Sequence, residues 1–361
     1  MSVATASPVV RRLAGTLPLP VLAPVLATLA ALGLGVGLIA ATGTPVTAAI
    51  LAFWDGMVGS TFGIGASINR GVALALVGLG FIFANRANLT NVGGEGQIAF
   101  GGMVATAVAL RGAASLPAGL AVAVPLAAGA ATGAVWGGLA GILKVKRGTN
   151  EVISTLLLTF IALLVVYWSV QSENLLRQPK TSAATLPESL ELPAPTRLPT
   201  LSTDPSSPLH IGVLLAAVAT VAVGVALARS ALGVRLRAVG LSELASRRAG
   251  IRDGALVVLA LTVAGALGGL AGAIMLQGEL WVLKAGFSSG YGFDGLVVGL
   301  LSRGSAVAVV AGALFFGFLR SGGIAMEISA GVPAAVVLLI QGLIVILIAG
   351  SVILTGAGRE R

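Results

Sequence analysis

The sequence predicts an all-α polytopic membrane protein with about ten transmembrane helices. Three observations point there. The 361 residues are 57% hydrophobic and 10% charged, with a mean hydropathy of +1.02; a soluble chain carries about a quarter charged residues because its surface faces water. Several apolar runs exceed the ~20 residues that a helix needs to cross a ~30 Å hydrocarbon core. Those runs are continuous rather than alternating in ~10-residue segments, which favours helices over a barrel.

The first run spans about 17–41 and follows Arg11 and Arg12, in the manner of a secretory leader. It is longer than the about 7–15 apolar residues of a leader, which favours an uncleaved first span at 18–41. The stretch 46–60 is apolar but holds Asp55 and small residues, and reads as an interfacial segment outside the membrane. Clear spans follow at 115–142, 151–170, 210–229, 254–276 and 332–354. Those at 62–84, 96–111, 288–302 and 304–320 are interrupted by Gly, Asn and charge. Arg70 lies within the 62–84 run; a central charge costs about 2.5–3.5 kcal/mol, so it reads as facing the protein interior or an interface, where a carboxylate could pair with it, and the sequence names no partner.

Charge orients the spans. With the N-terminus cytoplasmic, ten spans return the C-terminus to the same side. The inner segments then hold Arg11, Arg12, Arg86, Lys144, Lys146, Arg147, Arg229, Arg235, Arg237, Arg247, Arg248, Arg252, Arg303, Arg359 and Arg361. The outer ones hold Arg111, Arg177, Lys180, Arg197, Lys284 and Arg320. That asymmetry follows the positive-inside rule, with lipid as the neighbour of the basic loops. The basic residues are spread over short loops rather than gathered with aromatics, which argues against nucleic acid. With no cysteine there is no disulfide framework or thiolate metal site. The lone His210 ends a polar loop and reads as a surface or interface histidine.

Two loops stand out. The outer loop at 171–209 is rich in Pro, Ser and Thr; its prolines prevent either flanking helix from continuing, giving a largely irregular cap. A linker and a docking surface for an external partner both fit it. The inner loop at 230–253, with Arg229 before it, carries six arginines against two carboxylates, Glu243 and Asp253. Ser242 can cap a short amphipathic helix on which Leu241, Leu244, Ala245 and Ala249 recur at helical spacing.

This loop resembles the cytoplasmic loop of ABC importer permeases of the branched-chain amino acid, ribose and nucleoside group. Arg237, Ala238, Val239 and Gly240, then Ala245, Ala249, Gly250 and Ile251, fit that pattern; Ser246 and Arg248 depart from it. Asn91-Val-Gly-Gly-Glu-Gly-Gln97, Gly148-Thr-Asn-Glu-Val-Ile-Ser-Thr155 and Gly290-Tyr-Gly-Phe-Asp-Gly295 resemble stretches of the nucleoside-type members, with Thr159 where Asn is frequent. The likeness runs in order from about residue 60 to 350. It implies a type II importer-like membrane domain, in a bacterial plasma membrane, over 1–361. It also implies a second permease subunit, an external solute-binding lipoprotein, and a cytoplasmic ABC ATPase that carries the ATP and Mg. This chain has no G-x-x-x-x-G-K-[ST] loop of its own, and no cofactor is expected on it. The same resemblance makes Arg237, Gly240, Glu243, Ala245, Arg247, Arg248 and Gly250 the residues that couple to the ATPase.

Polar residues at membrane depth complete the candidates. Asn91, Glu95 and Gln97 share a glycine-rich stretch between apolar runs, which reads either as a broken helix lining a transport path or as a cytoplasmic turn. Gln277, Phe293 and Asp294, with Glu279, Trp281 and Tyr291 nearby, offer groups for stacking on and orienting a solute, or serve as interfacial anchors. Gly137-Gly-Leu-Ala-Gly141 and Gly268-Gly-Leu-Ala-Gly272 repeat the same five letters and read as helix-packing sites. The leading reading is nucleoside import, with no chemistry on this chain. An ion-driven secondary transporter or channel is the alternative, with Glu95, Glu151, Asp294 and Glu327 as its carboxylates.

Overall fold

The computed structural model describes residues 19–182 and 185–356. Arg11, Arg12, Arg359 and Arg361, which the topology reading used, lie outside them. The described residues form α1 (Leu19–Ala41), α2 (Val46–Trp54), α3 (Thr61–Asn85), α4 (Gly94–Leu110), α5 (Ala118–Arg147), α6 (Glu151–Gln171) and α7 (Gly212–Arg229). There follow α8 (Ala231–Leu241), α9 (Glu243–Arg248), α10 (Asp253–Met275), α11 (Tyr291–Leu301), α12 (Ala306–Ala330) and α13 (Ala334–Gly356). Among the described residues, six helices are long and apolar enough to cross a membrane: α3, α5, α6, α7, α12, and α10 with the π-turn Leu276–Leu280 that extends it.

The chain divides into two packing units, one of residues up to 64 with 319 onward, the other of 65–318. In the first, Ala31, Ile39, Ala49, Met326, Val337, Ile340 and Ile344 share one core, which packs α1 and α13 together. The segment 46–60, expected to be interfacial, is a helix with Ala49 fully buried, continued by a π-turn over Asp55–Gly59. Gly56 there sits against Ala325 and the Ser321 carbonyl.

The second unit is built around glycine. Gly133 and Gly137 of α5 meet the backbone of Gly265 and Leu261 of α10, and Gly101 of α4 meets Gly269. A methyl at Gly133 or Gly265 would strike the partner backbone, so these three helices approach at backbone distance. Close approach stands in for hydrophobic drive, since lipid competes equally for apolar side chains. Both five-residue repeats lie on this seam. Helix α3 is almost wholly buried, with Leu74, Leu76 and Leu79 sealed inside. Helix α7 is largely uncovered, with Leu214, Val218 and Val221 exposed.

One expected span is too short. Helix α11 has 11 residues, about 16 Å at 1.5 Å per residue, roughly half a hydrocarbon core. Gly290, in the left-handed region at φ +81°, starts it late. The 288–302 stretch is thus a half-helix rather than a full span.

Candidate translocation and coupling site

The turn after α3 ends the helix with Asn88 in the left-handed conformation at φ +57°. The chain then turns back into the protein as a non-helical segment, 89–93, before α4 begins at Gly94. Gly94 packs against Val77, and Gly292 at the start of α11 packs on the backbone of Glu95. Helix α11 runs parallel to α3, with Gly295 beside Val77 and Gly299 beside Phe81. Val77 lies eight residues before the end of α3 at Asn85, about 12 Å along its axis. The N-termini of α4 and α11 therefore meet well inside the bundle. The stretch entering α4 is non-helical, and Glu95 is buried rather than in water, against the cytoplasmic-turn reading.

Each polar group at this junction has a partner. Asn91 and Gln97 pair through their amides, Nδ2 donating to Oε1 at 3.0 Å and Nε2 donating to Oδ1 at 3.2 Å. Asn91 Oδ1 also accepts from the Gly93 N–H at 3.0 Å. Gln97 lies between the repeats, against Gly137 and Gly268. Glu95 accepts from Ser288 Oγ at 2.6 Å and from the Gly290 and Gly292 N–H groups at 3.0 and 2.7 Å. Two of these donors are free amides at the N-terminus of α11, where a helix favours an anion. The carboxylate of Glu95 occupies the place that a bound anion would take.

The stretch 148–155 holds the junction from the other side. Gly148, at φ +67°, closes α5, and Asn150 caps α6 by accepting from Val152 and Ile153 at 2.8 and 3.3 Å. Glu151 pairs with Lys144 at 2.7 Å, and Thr155 Oγ1 accepts from the Val92 N–H at 3.2 Å.

The short helix expected after Ser242 is α9, and a second one, α8, precedes it. Ser242 caps α9, accepting from Ala245 at 3.2 Å, so the capping reading is correct. Glu243, Ala245 and Leu244 are exposed or face outward, as are Arg237, Arg247 and Arg248, while Ser246 is buried. Arg247 pairs with Asp253 at 2.8 Å, and that carboxylate holds the guanidinium pKa above its ordinary value. Gly250, at φ +77°, lets the chain turn from α9 to α10. Gly240 of α8 lies against the Arg86 carbonyl and the backbone of Ala87 and Asn88. The loop thus bears directly on the turn that leads into the 91–97 junction.

The remaining candidates separate. Phe293 is exposed and Asp294 half-buried on α11, one turn from the Glu95 contact. Gln277 is nine residues beyond Gly268, about 13 Å further along α10. It is fully buried, and its Nε2 donates to the Thr196 and Val122 carbonyls at 2.6 and 3.2 Å, while its Oε1 has no partner. It anchors the later part of the 171–209 loop, which folds down as a cap: the Ser189 N–H donates to the Leu283 carbonyl, that of Leu192 to Trp281 and that of Leu198 to Gln277. Arg197 stacks over Trp281 at 4.6 Å.

Beneath the cap lies a cluster that sequence reasoning joined only in part. Glu279 lies within electrostatic reach of Arg70 and takes a hydrogen bond from Asn69, giving Arg70 its carboxylate. Asn69 also donates to the Pro208 carbonyl at 2.7 Å. His210 is buried rather than superficial, its Nδ1 accepting from the Gly212 N–H at 3.1 Å, and burial pushes its pKa down to about 4. The link between 69–70, 210 and 279 spans too many residues to be visible in a single sequence.

A bundle of apolar helices, with two helix N-termini meeting inside it and a cationic helical loop bearing on the turn before them, is the architecture of a polytopic membrane protein. The chain belongs to the family described as the permease component of the branched-chain amino acid transport system, whose model matches residues 63–349. It is 36% identical to a glucose ABC transporter permease of Haloferax volcanii, over 89% of this chain and 85% of that one. It is 34% identical to a guanosine ABC transporter permease of Bacillus subtilis, over 90% and 91%. A nucleoside ABC transporter permease of Lactococcus lactis is 31% identical over 80% and 79%. No solved structure matches. The chain is an ABC importer permease, a multi-pass membrane subunit rather than an enzyme.

Proposed function

We propose that this permease imports nucleosides across a bacterial plasma membrane, with the 230–253 loop cytoplasmic and the 171–209 cap outside. The relatives named for guanosine and nucleosides support the substrate class. The gathering of Arg86, Lys144, Arg229 and Arg237 at the loop end of the 65–318 unit, away from the cap, supports that orientation.

The observation that carries the mechanism is Gly240 seated on the turn at 86–88. A partner ATPase closing on ATP and Mg pushes α8 and α9; Gly240 passes that displacement to the end of α3 and so to the junction at Asn91, Glu95 and Gln97. The saturated hydrogen bonds there act as a latch between α4 and α11 rather than as solute contacts. Phe293 and Asp294, just outside the latch, are the residues we assign to solute contact. A second permease subunit completes the path, and an external solute-binding lipoprotein delivers substrate at the cap.

The test is uptake by proteoliposomes. Complex purified through this chain takes up labelled guanosine only with ATP inside and binding protein outside. Uptake by the chain alone, driven by a proton or sodium gradient, would sink the proposal. A monosaccharide is the second reading, favoured by the 36% identical glucose permease; competition by glucose but not adenosine would establish it.

A further inference from the structure

A polar pocket of about 260 Å³ opens where the ends of α3, α8 and α11 meet. Three arginines line it, Arg86, Arg237 and Arg303, with Asn85, Asn88 and Gly304. No carboxylate is among its lining residues. Arg86 Nη2 reaches the Leu227 carbonyl at 3.4 Å, but its buried Nε has no acceptor. Two lining residues, Asn88 and Arg303, hold left-handed backbone at φ +57° and +50°, a conformation that costs free energy outside glycine. The buried Ile82 and the exposed Leu241 add apolar lining.

Three arginines line one small space, and Arg86 Nε, buried without an acceptor, calls for an anion. Their planar N–H forks match phosphate oxygens in pairs. The pocket sits at the bundle end where Arg229 and Lys144 also lie, and it has both a cationic floor and an apolar edge. Basic pockets between helix ends on the cytoplasmic side are suited to anionic headgroups. We propose that this pocket binds the phosphate of an anionic lipid headgroup, with Ile82 and Leu241 against its glycerol and acyl stem. Because Gly240 shares the pocket wall, bound lipid steadies the contact between the coupling loop and the turn at 86–88. The inference rests on the cytoplasmic placement of this end. Lipid retention reads the pocket whichever way the chain is oriented, so its failure leaves the transport reading standing.

The test is native mass spectrometry of the full chain released from detergent with phosphatidylglycerol, phosphatidylcholine or inorganic phosphate. The expected result is retention of phosphatidylglycerol and not phosphatidylcholine. Arg237→Gln with Arg303→Asn, the asparagine chosen because it tolerates left-handed backbone, should weaken retention about tenfold to thirtyfold. The exposed single variant Arg237→Gln should weaken it by a smaller factor and serves if the double variant is poorly folded. Lys146→Gln, an exposed charge outside the pocket, should leave it unchanged. Equal loss in Lys146→Gln would overturn the proposal in favour of diffuse charge. Displacement of the lipid by millimolar phosphate would overturn the lipid as the source. Undiminished retention in the pocket variants, with loss of ATPase co-purification, would reassign the arginines to protein docking.

Discussion

The junction at 91–97 and the loop at 230–253 are both polar interruptions in an apolar chain, yet they are built in opposite ways. At the junction Asn91, Glu95 and Gln97 are buried and every named side chain bonds within the protein. In the loop Glu243, Arg247 and Arg248 stand in the open, with Arg247 held by a single ion pair. A buried polar group must find partners nearby or lose free energy comparable to a hydrogen bond; an exposed one is free to meet another molecule. The difference teaches that polarity marks both places, and burial decides which is latch and which is handle.

Breaking the latch should have the largest effect. A methyl at Gly292 lands on the backbone of Glu95, which has no flexible end to move aside. Gly292→Ala should cost several kcal/mol, at or above the about 1–3 kcal/mol typical of overpacking, seen as loss of monodisperse protein on size exclusion. Gly119→Ala, with open space around it, is the neutral comparison. Next comes Glu95→Gln, which turns an amide toward the Gly290 or Gly292 N–H; about 1–3 kcal/mol of stability should be lost in thermal unfolding.

His210 gives a smaller, pH-dependent effect. Its folded pKa, about 4, lies below the ordinary 6.5. The unfolded chain therefore binds the proton first, and stability present above pH 6.5 is lost as pH falls toward 4, by at most about 3 kcal/mol. Melting temperature should drop over that window in wild type, and drop less in His210→Asn, whose Oδ1 can replace Nδ1 as acceptor for Gly212. An equal drop in both would place the acid sensitivity elsewhere. The smallest effect on stability is in the handle: Glu243→Ala, Arg247→Ala and Arg248→Ala together should leave the melting temperature unchanged.

The long apolar runs, the interruption at 91–97 and the Ser242 cap were legible because each depends on neighbours in sequence. Glycine spacing was legible too, since residues four apart share a helix face. What could not be read were relations across the chain: Glu95 with Ser288, Arg70 with Glu279, Arg86 with Arg237 and Arg303. The half-length of α11 was hidden because Ser288, Ser289 and Gly290 are small and do not mark the helix start at Tyr291. His210 misled because a polar loop usually faces water, and this one folds down as a cap.

The most direct test of latch and handle is co-purification from native membranes in mild detergent. Tagged wild-type chain should bring down an ABC ATPase and a second permease. The Glu243→Ala, Arg247→Ala, Arg248→Ala variant should keep the permease and lose the ATPase, whereas Glu95→Gln should keep both. An ATPase absent from wild type even after crosslinking, or retained in full by the loop variant, would contradict the account.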